Sequence, residues 1–280
     1  MKTFTLGFSP CPNDTFIFDA MVNNRIDTGD YKFEVVMEDV EQLNLMAQEG
    51  KLDISKISFG AYAYVSKNYV ILNSGSALGK GVGPILVSKQ PIPAKILQEG
   101  LVAIPGVHTT ANLLLSVLFP GIQNKKAMHF AAISRAVMQD EVIAGLLIHE
   151  GRFTYESQGL IKLIDLGETW EDQMQLPLPL GCIAANRKIS GNERSEIDAM
   201  IRQSIGYAWK NPSESSHYIK AHSQEMEDEV IASHIGLYVN EFSVDLGAQG
   251  REAILILLKK GIEYQLIPEF TEPIFNNSNI

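Results

Sequence analysis

His149 is the side chain in this sequence best suited to acid–base work. It closes the apolar run Ala144-Gly-Leu-Leu-Ile148 and precedes Glu150-Gly-Arg-Phe-Thr-Tyr155. An imidazole with a pKa near ~6.5 takes protons at neutral pH, and the end of a strand facing a cleft is where such a group meets substrate. A hydrogen-bonded histidine of surface or core is the plainer alternative. His108-Thr109-Thr110 falls where a strand hands over to a helix. Free N–H groups and the dipole at a helix start hold a carboxylate or phosphate, and hydroxyls add donors. An ordinary threonine cap would leave the same trace. Lys56-Ile57-Ser58 ends another strand and offers a charge and a hydroxyl, although a solvated lysine at a strand end fits those residues too.

Other arrangements carry less. Ser74-Gly-Ser-Ala-Leu-Gly-Lys-Gly-Val-Gly-Pro84 has three residues between Gly75 and Gly79-Lys80, and Gly81 stands where a phosphate loop needs Ser or Thr. It reads as a flexible loop lining a cleft or hinge. His217 and His222 do not share a helical face, and neither HExxH nor CxxC occurs, so no metal site is expected. No GxSxG elbow is present. Cys11 precedes a helix, where the dipole would lower its pKa, but a structural loop cysteine is the simpler reading.

The elements that must position these residues alternate. Strands are expected at 4–8, 31–37, 52–57, 69–72, 85–88, 101–104, 143–148, 160–165 and 182–185. Helices are expected at 16–22 (capped by Asn13 or Asp14), 40–48, 60–65, 111–119 and 133–139. The chain beyond residue 185 reads as helical, one helix opening at Gly191 or Asn192 and closing at Asn211-Pro212. Such alternation predicts an α/β fold with a largely parallel sheet. A chain of 280 residues suits two lobes better than one core. The Pro-punctuated segments Gln90-Pro-Ile-Pro93 and Leu176-Pro-Leu-Pro-Leu-Gly181 mark two crossings. They divide the chain into a larger discontinuous lobe, 1–88 with 182–280, and a smaller inserted lobe, 89–181. The halves also resemble each other: the displacement that carries Ser58 onto His149 carries Gln48 onto Gln139, Leu52 onto Ile143, Gly60 onto Gly151 and Tyr64 onto Tyr155. Two similar lobes leave a cleft between them, and ligands of open α/β sheets bind beyond the strand ends.

Composition bounds the function. Hydrophobic residues make up 45% and charged residues 20%, as in globular proteins. The longest strongly apolar run, 253–258, is far too short for a membrane helix and reads as core. With 23 basic against 33 acidic residues the net charge is −10, which disfavours nucleic acid but leaves room for a small anionic ligand bound by local donors. The N-terminus has no apolar signal region, and two cysteines make no disulfide framework, so a cytoplasmic location is expected.

Several segments are specific enough to carry a resemblance: Gly7-Phe-Ser-Pro-Cys-Pro-Asn-Asp-Thr-Phe-Ile-Phe18, Glu38-Asp-Val-Glu-Gln-Leu43, the glycine-rich 74–84, His108-Thr-Thr110, Ile148-His-Glu-Gly-Arg-Phe-Thr-Tyr155 and Leu176-Pro-Leu-Pro-Leu-Gly181. In order and spacing, from residue 7 to about 245, the chain resembles the 1,4-dihydroxy-6-naphthoate synthase family of the futalosine route to menaquinone. The resemblance implies a type II periplasmic-binding-protein-like fold of two α/β lobes with a cleft between them. It also implies conversion of cyclic dehypoxanthinylfutalosine into 1,4-dihydroxy-6-naphthoate and dihydroxyacetone, without metal or organic cofactor. Carried onto this sequence, His149 is the proton acceptor, and Lys56, Ile57, Ser58, Thr109 and Thr110 contact substrate. Two other readings share the architecture: a solute-binding protein that captures small anions without chemistry, and chorismate dehydratase of the same pathway.

Overall fold

The structure, a computed structural model, describes residues 1–223 and 227–276. Its strands are β1 (Lys2–Phe8), β2 (Tyr31–Met37), β3 (Ile54–Ser58), β4 (Tyr69–Ile71), β5 (Ala77–Gly79), β6 (Ile85–Ser88), β7 (Val102–Ile104), β8 (Lys125–Ala127), β9 (Ala144–Leu147), β10 (Ile161–Asp165) and β11 (Leu178–Asn186). They form two sheets, β2-β1-β3-β11-β4 with β5 beside β11, and β8-β7-β9-β6-β10.

The two sheets have one plan. In each, three strands run parallel (β2, β1 and β3; β8, β7 and β9). The fourth strand, β11 or β6, is antiparallel to both its neighbours. The displacement that carries Ser58 onto His149 therefore lays β3 on β9 and β4 on β10, so the internal similarity is one of architecture. Each sheet is mixed rather than largely parallel. Its fourth strand is a crossing segment, which must run against the βα units on entering or leaving a lobe.

The second crossing falls within the segment 176–181, and the first lies a few residues ahead of Gln90. Ile85–Ser88 pairs with β9 and β10 in the second sheet, and Leu178–Asn186 already pairs with β5 in the first. Sheet membership therefore changes before Ile85 and before Leu178. Within the glycine-rich segment Ala77–Gly79 is a buried strand, so that stretch is pinned to the sheet edge rather than flexible.

The helix Pro12–Val22 has Pro at its first position, pre-set for helical φ, and begins one residue before Asn13 and two before Asp14, the expected caps. Asn13 and Asp14 thereby fall inside its first turn, free for the cleft. The helix Gly191–Lys210 opens on a capping box, the Ser190 hydroxyl accepting from the Glu193 N–H and the Glu193 carboxylate from that of Ser190. The expected helical run after residue 185 holds for the bulk of the chain from Gly191 to Glu263, after which the described residues to 276 are irregular apart from a bridge between Ile71 and Phe275; 224–226 and 277–280 lie outside the described residues. No described helix is long and apolar enough to cross a membrane.

One apolar core spans both sheets. Ile57, Tyr62, Leu178, Ile254 and Leu257 share it with Leu86, Ile104, Leu113, Leu114, Leu146 and Trp170. A second core packs Phe8, Phe16, Ile17 and Phe18 against Ile197, Ile201 and Ile205 under the first sheet, and a third joins Ile133 and Val137 to Val87 and Leu147 in the second.

Candidate active site

The ends of the central parallel strands from both sheets converge on one cleft of about 660 Å³. The loop after β1 brings Ser9, Asn13 and Asp14, and β3 ends in Lys56, Ile57 and Ser58. Thr109 and Thr110 follow β7, Ile148 and His149 follow β9, and the helix Asp228–Tyr238 adds His234 and Tyr238. All six residues singled out in the sequence line this space.

His149 sits in the left-handed backbone region, φ +55°. A histidine there costs about 1–2 kcal/mol over a relaxed conformation, and such strain concentrates at functional sites. The turn aims the half-buried ring across the cleft, where Nδ1 lies 3.5 Å from Sγ of Cys11 in the other lobe. Burial lowers its pKa below 6.5, against the opposing pull of the Glu150 carboxylate, so the ring is neutral and proton-accepting at pH 7. Burial, with Glu150 next, pushes the Cys11 thiol well up, so the sulfur facing His149 is a protonated thiol. Phe130 meets one side of the ring edge to face at 5.1 Å, and His234 lies nearly parallel at 6.2 Å.

Lys56 does not offer a bare charge. Its ammonium is buried, 3.0 Å from Oδ1 of Asp14, and donates to the Gly75 carbonyl at 3.1 Å. Asp14 in turn accepts from the N–H and hydroxyl of Ser9 (3.2 and 2.7 Å) and from the Asn13 amide (2.8 Å). The Ser58 backbone N–H donates to Asn44 Oδ1, and its hydroxyl accepts from Asn44 Nδ2 at 3.2 Å, leaving the hydroxyl proton to donate.

The two threonines have prior structural duties. Thr109 caps its helix, accepting from the Asn112 N–H and donating to the Gly106 carbonyl. The Thr110 hydroxyl donates to the Leu180 carbonyl and accepts from the Gly60 N–H, tying this helix start to that of Phe59–Val65 in the other lobe. What this corner gives the cleft is the backbone: among the described residues the N–H groups of Thr110 and Ala111 meet no acceptor. Glu41 closes the rim, accepting from the His108 N–H at 3.0 Å and lying 3.2 Å from its Nδ1.

Sequence reasoning passed over Ser9, Tyr238 and His234, and gave Asn13 and Asp14 only a capping role. Asn13 and Asp14 lay inside a quoted motif, and a proline at helix position one was the available signal that both would sit past the cap. His234 is a lone histidine in mid-helix with no spacing to mark it.

The chain matches the family model described as menaquinone biosynthesis over residues 4–263. It is 46% identical to a Thermus thermophilus protein named 1,4-dihydroxy-6-naphthoate synthase, over 98% of this chain and 100% of that one. A Streptomyces coelicolor protein of the same name is 40% identical over 95% of each. The periplasmic aliphatic sulphonate binding protein of Escherichia coli superposes with a TM-score of 0.66 at 14% identity, covering 100% of this chain and 96% of that one. This likeness concerns the fold alone, which is the two-lobed periplasmic-binding-protein architecture. With a family model matched over nearly the whole chain and full-length relatives that are named enzymes, the chain belongs to the menaquinone-biosynthesis family as an enzyme of the 1,4-dihydroxy-6-naphthoate synthase type.

Proposed function

We propose that the chain is a carbon–carbon lyase converting cyclic dehypoxanthinylfutalosine, a small anionic substrate, into 1,4-dihydroxy-6-naphthoate, the sugar-derived fragment leaving as dihydroxyacetone. The observation that carries this reading is His149: an imidazole kept neutral by burial, held at positive φ, and set into the cleft from one lobe against donors of the other. Separating the carbocycle from the sugar fragment and aromatising needs a proton removed beside a carbonyl and a developing enolate held by donors. His149 takes the proton. The Ser58 hydroxyl and the N–H groups of Thr110 and Ala111 face the developing negative charge, while Thr109 and the Thr110 hydroxyl fix that helix start. Lys56 holds Asp14 in place and keeps one N–H for the substrate; Ile57 forms apolar wall beside it.

Tautomer matters here. With Nδ1 against the Cys11 sulfur, a proton on Nδ1 leaves Nε2 as the base. Purified protein and the His149→Ala variant are incubated with cyclic dehypoxanthinylfutalosine and the products followed by chromatography and mass spectrometry. Wild type yields the naphthoate, and the variant turns over roughly 10²–10⁴-fold more slowly with an unchanged far-ultraviolet circular dichroism spectrum. Near-normal turnover by His149→Ala removes it as the base; binding without product from wild type removes the lyase reading.

A further inference from the structure

The cleft holds a second imidazole. His234 is 1% exposed, forms part of the cleft wall, and its ring lies nearly parallel to that of His149, 9° between planes. Its bonding can be worked out from the far end of a buried polar chain. Asp14, facing the Lys56 ammonium and the donors of Ser9, offers only acceptors. The Asn13 side chain must therefore turn its NH₂ to Asp14, at 2.8 Å, and its carbonyl oxygen to His234 Nε2, at 3.0 Å. A carbonyl oxygen only accepts, so Nε2 carries the hydrogen, and Nδ1 of a neutral ring is then a bare lone pair. Burial, and after it the neighbouring His149, drives the His234 pKa down to about 3, which keeps the ring neutral at working pH. Among the described residues Nδ1 has no hydrogen-bond partner.

Buried polar atoms are almost always satisfied, and an orphan acceptor in a binding cleft calls for a donor from outside the chain. Lys56, Asp14 and Asn13 fix which nitrogen faces that role, at the cost of several buried polar groups. Resting on the reading of the site given above, we propose that His234 is a substrate-contacting residue whose Nδ1 accepts a hydrogen bond from a hydroxyl of the bound substrate. His149 then takes a proton from carbon while His234 selects and orients an O–H group beside it. A ligand of the same shape without that hydroxyl leaves the acceptor orphaned and is rejected.

Two measurements test this. Steady-state kinetics with cyclic dehypoxanthinylfutalosine compare wild type, His234→Phe and His234→Asn. Phenylalanine keeps the ring and removes the acceptor, and kcat/KM falls roughly 10–100-fold, mainly through KM. Asparagine places an amide oxygen near the Nδ1 position and recovers part of the loss. A folded His234→Phe protein with kcat/KM within twofold of wild type overturns the proposal. Should His234→Phe not fold, histidine-labelled ¹⁵N spectra of the His149→Ala protein decide, recorded with substrate in excess because that variant consumes it only slowly. The His234 Nδ1 resonance is that of an unprotonated nitrogen and shifts towards its hydrogen-bonded position when cyclic dehypoxanthinylfutalosine is added; a protonated Nδ1, or no shift at saturation, refutes the role. Wild type that fails to turn over the compound refutes the lyase reading itself, whereas turnover with an unaltered His234→Phe refutes only His234.

Discussion

His149 and His234 both titrate below the ordinary histidine value, and two pH dependences follow. Burial lowers both, so the folded protein favours the neutral rings. With His149 as the proposed base, kcat/KM climbs with pH along an acid limb whose midpoint lies below ~6.5; Glu150, Asp14, Lys56 and Asp39 act on that ring as well and move the midpoint if substituted. The stability effect has the same cause and the same sign. The unfolded chain protonates both histidines below ~6.5, whereas folded His234 resists down to about 3. Stability is thus fully present above ~6.5 and is lost as the pH falls towards 3, at no more than about 1.4 kcal/mol per pH unit for each histidine. Urea unfolding of wild type and His234→Phe between pH 7 and 3 checks this: the variant has the shallower slope, and parallel slopes would contradict the buried neutral ring. At this scale the sequence was legible where a residue ends an element. His149 stood out because an apolar strand stops in front of it. His234 did not, because one buried position on a helix looks like any other until the partner 221 residues away is known.

The elements matter through their starts. Two strand–loop–helix junctions, one from each lobe, meet at Gly60 and Thr110, and the approach depends on a missing side chain. A Cβ on Gly60 would lie 2.9 Å from the carbonyl oxygens of both His108 and Thr109. These are backbone atoms and cannot swing aside, so Gly60→Ala must part the two helix starts by some tenths of an ångström. The Gly60–Thr110 hydrogen bond lengthens, and the N–H groups of Thr110 and Ala111 shift relative to Ser58. We expect a stability loss of about 1–3 kcal/mol and a fall in kcat/KM of about tenfold, read by thermal unfolding and turnover; a variant matching wild type in both would mean that the junction is slack. These junctions were legible because strand, polar loop and helix follow one another in the sequence. β8 and β5 were not: Lys125-Lys126-Ala127 is a short polar edge strand without alternation, and β5 hides inside a glycine-rich stretch. Both owe their conformation to a neighbour's unpaired backbone rather than to their own pattern.

At the scale of the molecule, duplication and division pull in different directions. Two sheets of one plan suggest two independent lobes, yet β6 and β11 leave one half of the chain to complete a sheet, and the apolar core does not respect the boundary. Leu113 and Leu114, on the helix that begins at Thr110, pack in one cluster with Tyr62, Ile254 and Leu257 of the other lobe. Opening wide enough to part the lobes would expose that surface at roughly 25 cal/mol per Å². Motion that admits substrate must therefore pivot about this shared core and open the polar side, where Glu41 meets His108 and Cys11 meets His149. The same continuity predicts one cooperative unfolding unit. Leu114 is fully buried, and Leu114→Ala removes atoms from the cluster at a cost of about 2–5 kcal/mol. In differential scanning calorimetry the whole single transition moves down, its van't Hoff enthalpy still equal to the calorimetric one. Were the lobes energetically separate, the substitution would split the trace, lowering the melting of one sheet and leaving the other where it was. That outcome would also free the lobes to part fully, and the cleft would then be assembled at each turnover rather than standing ready in the folded chain.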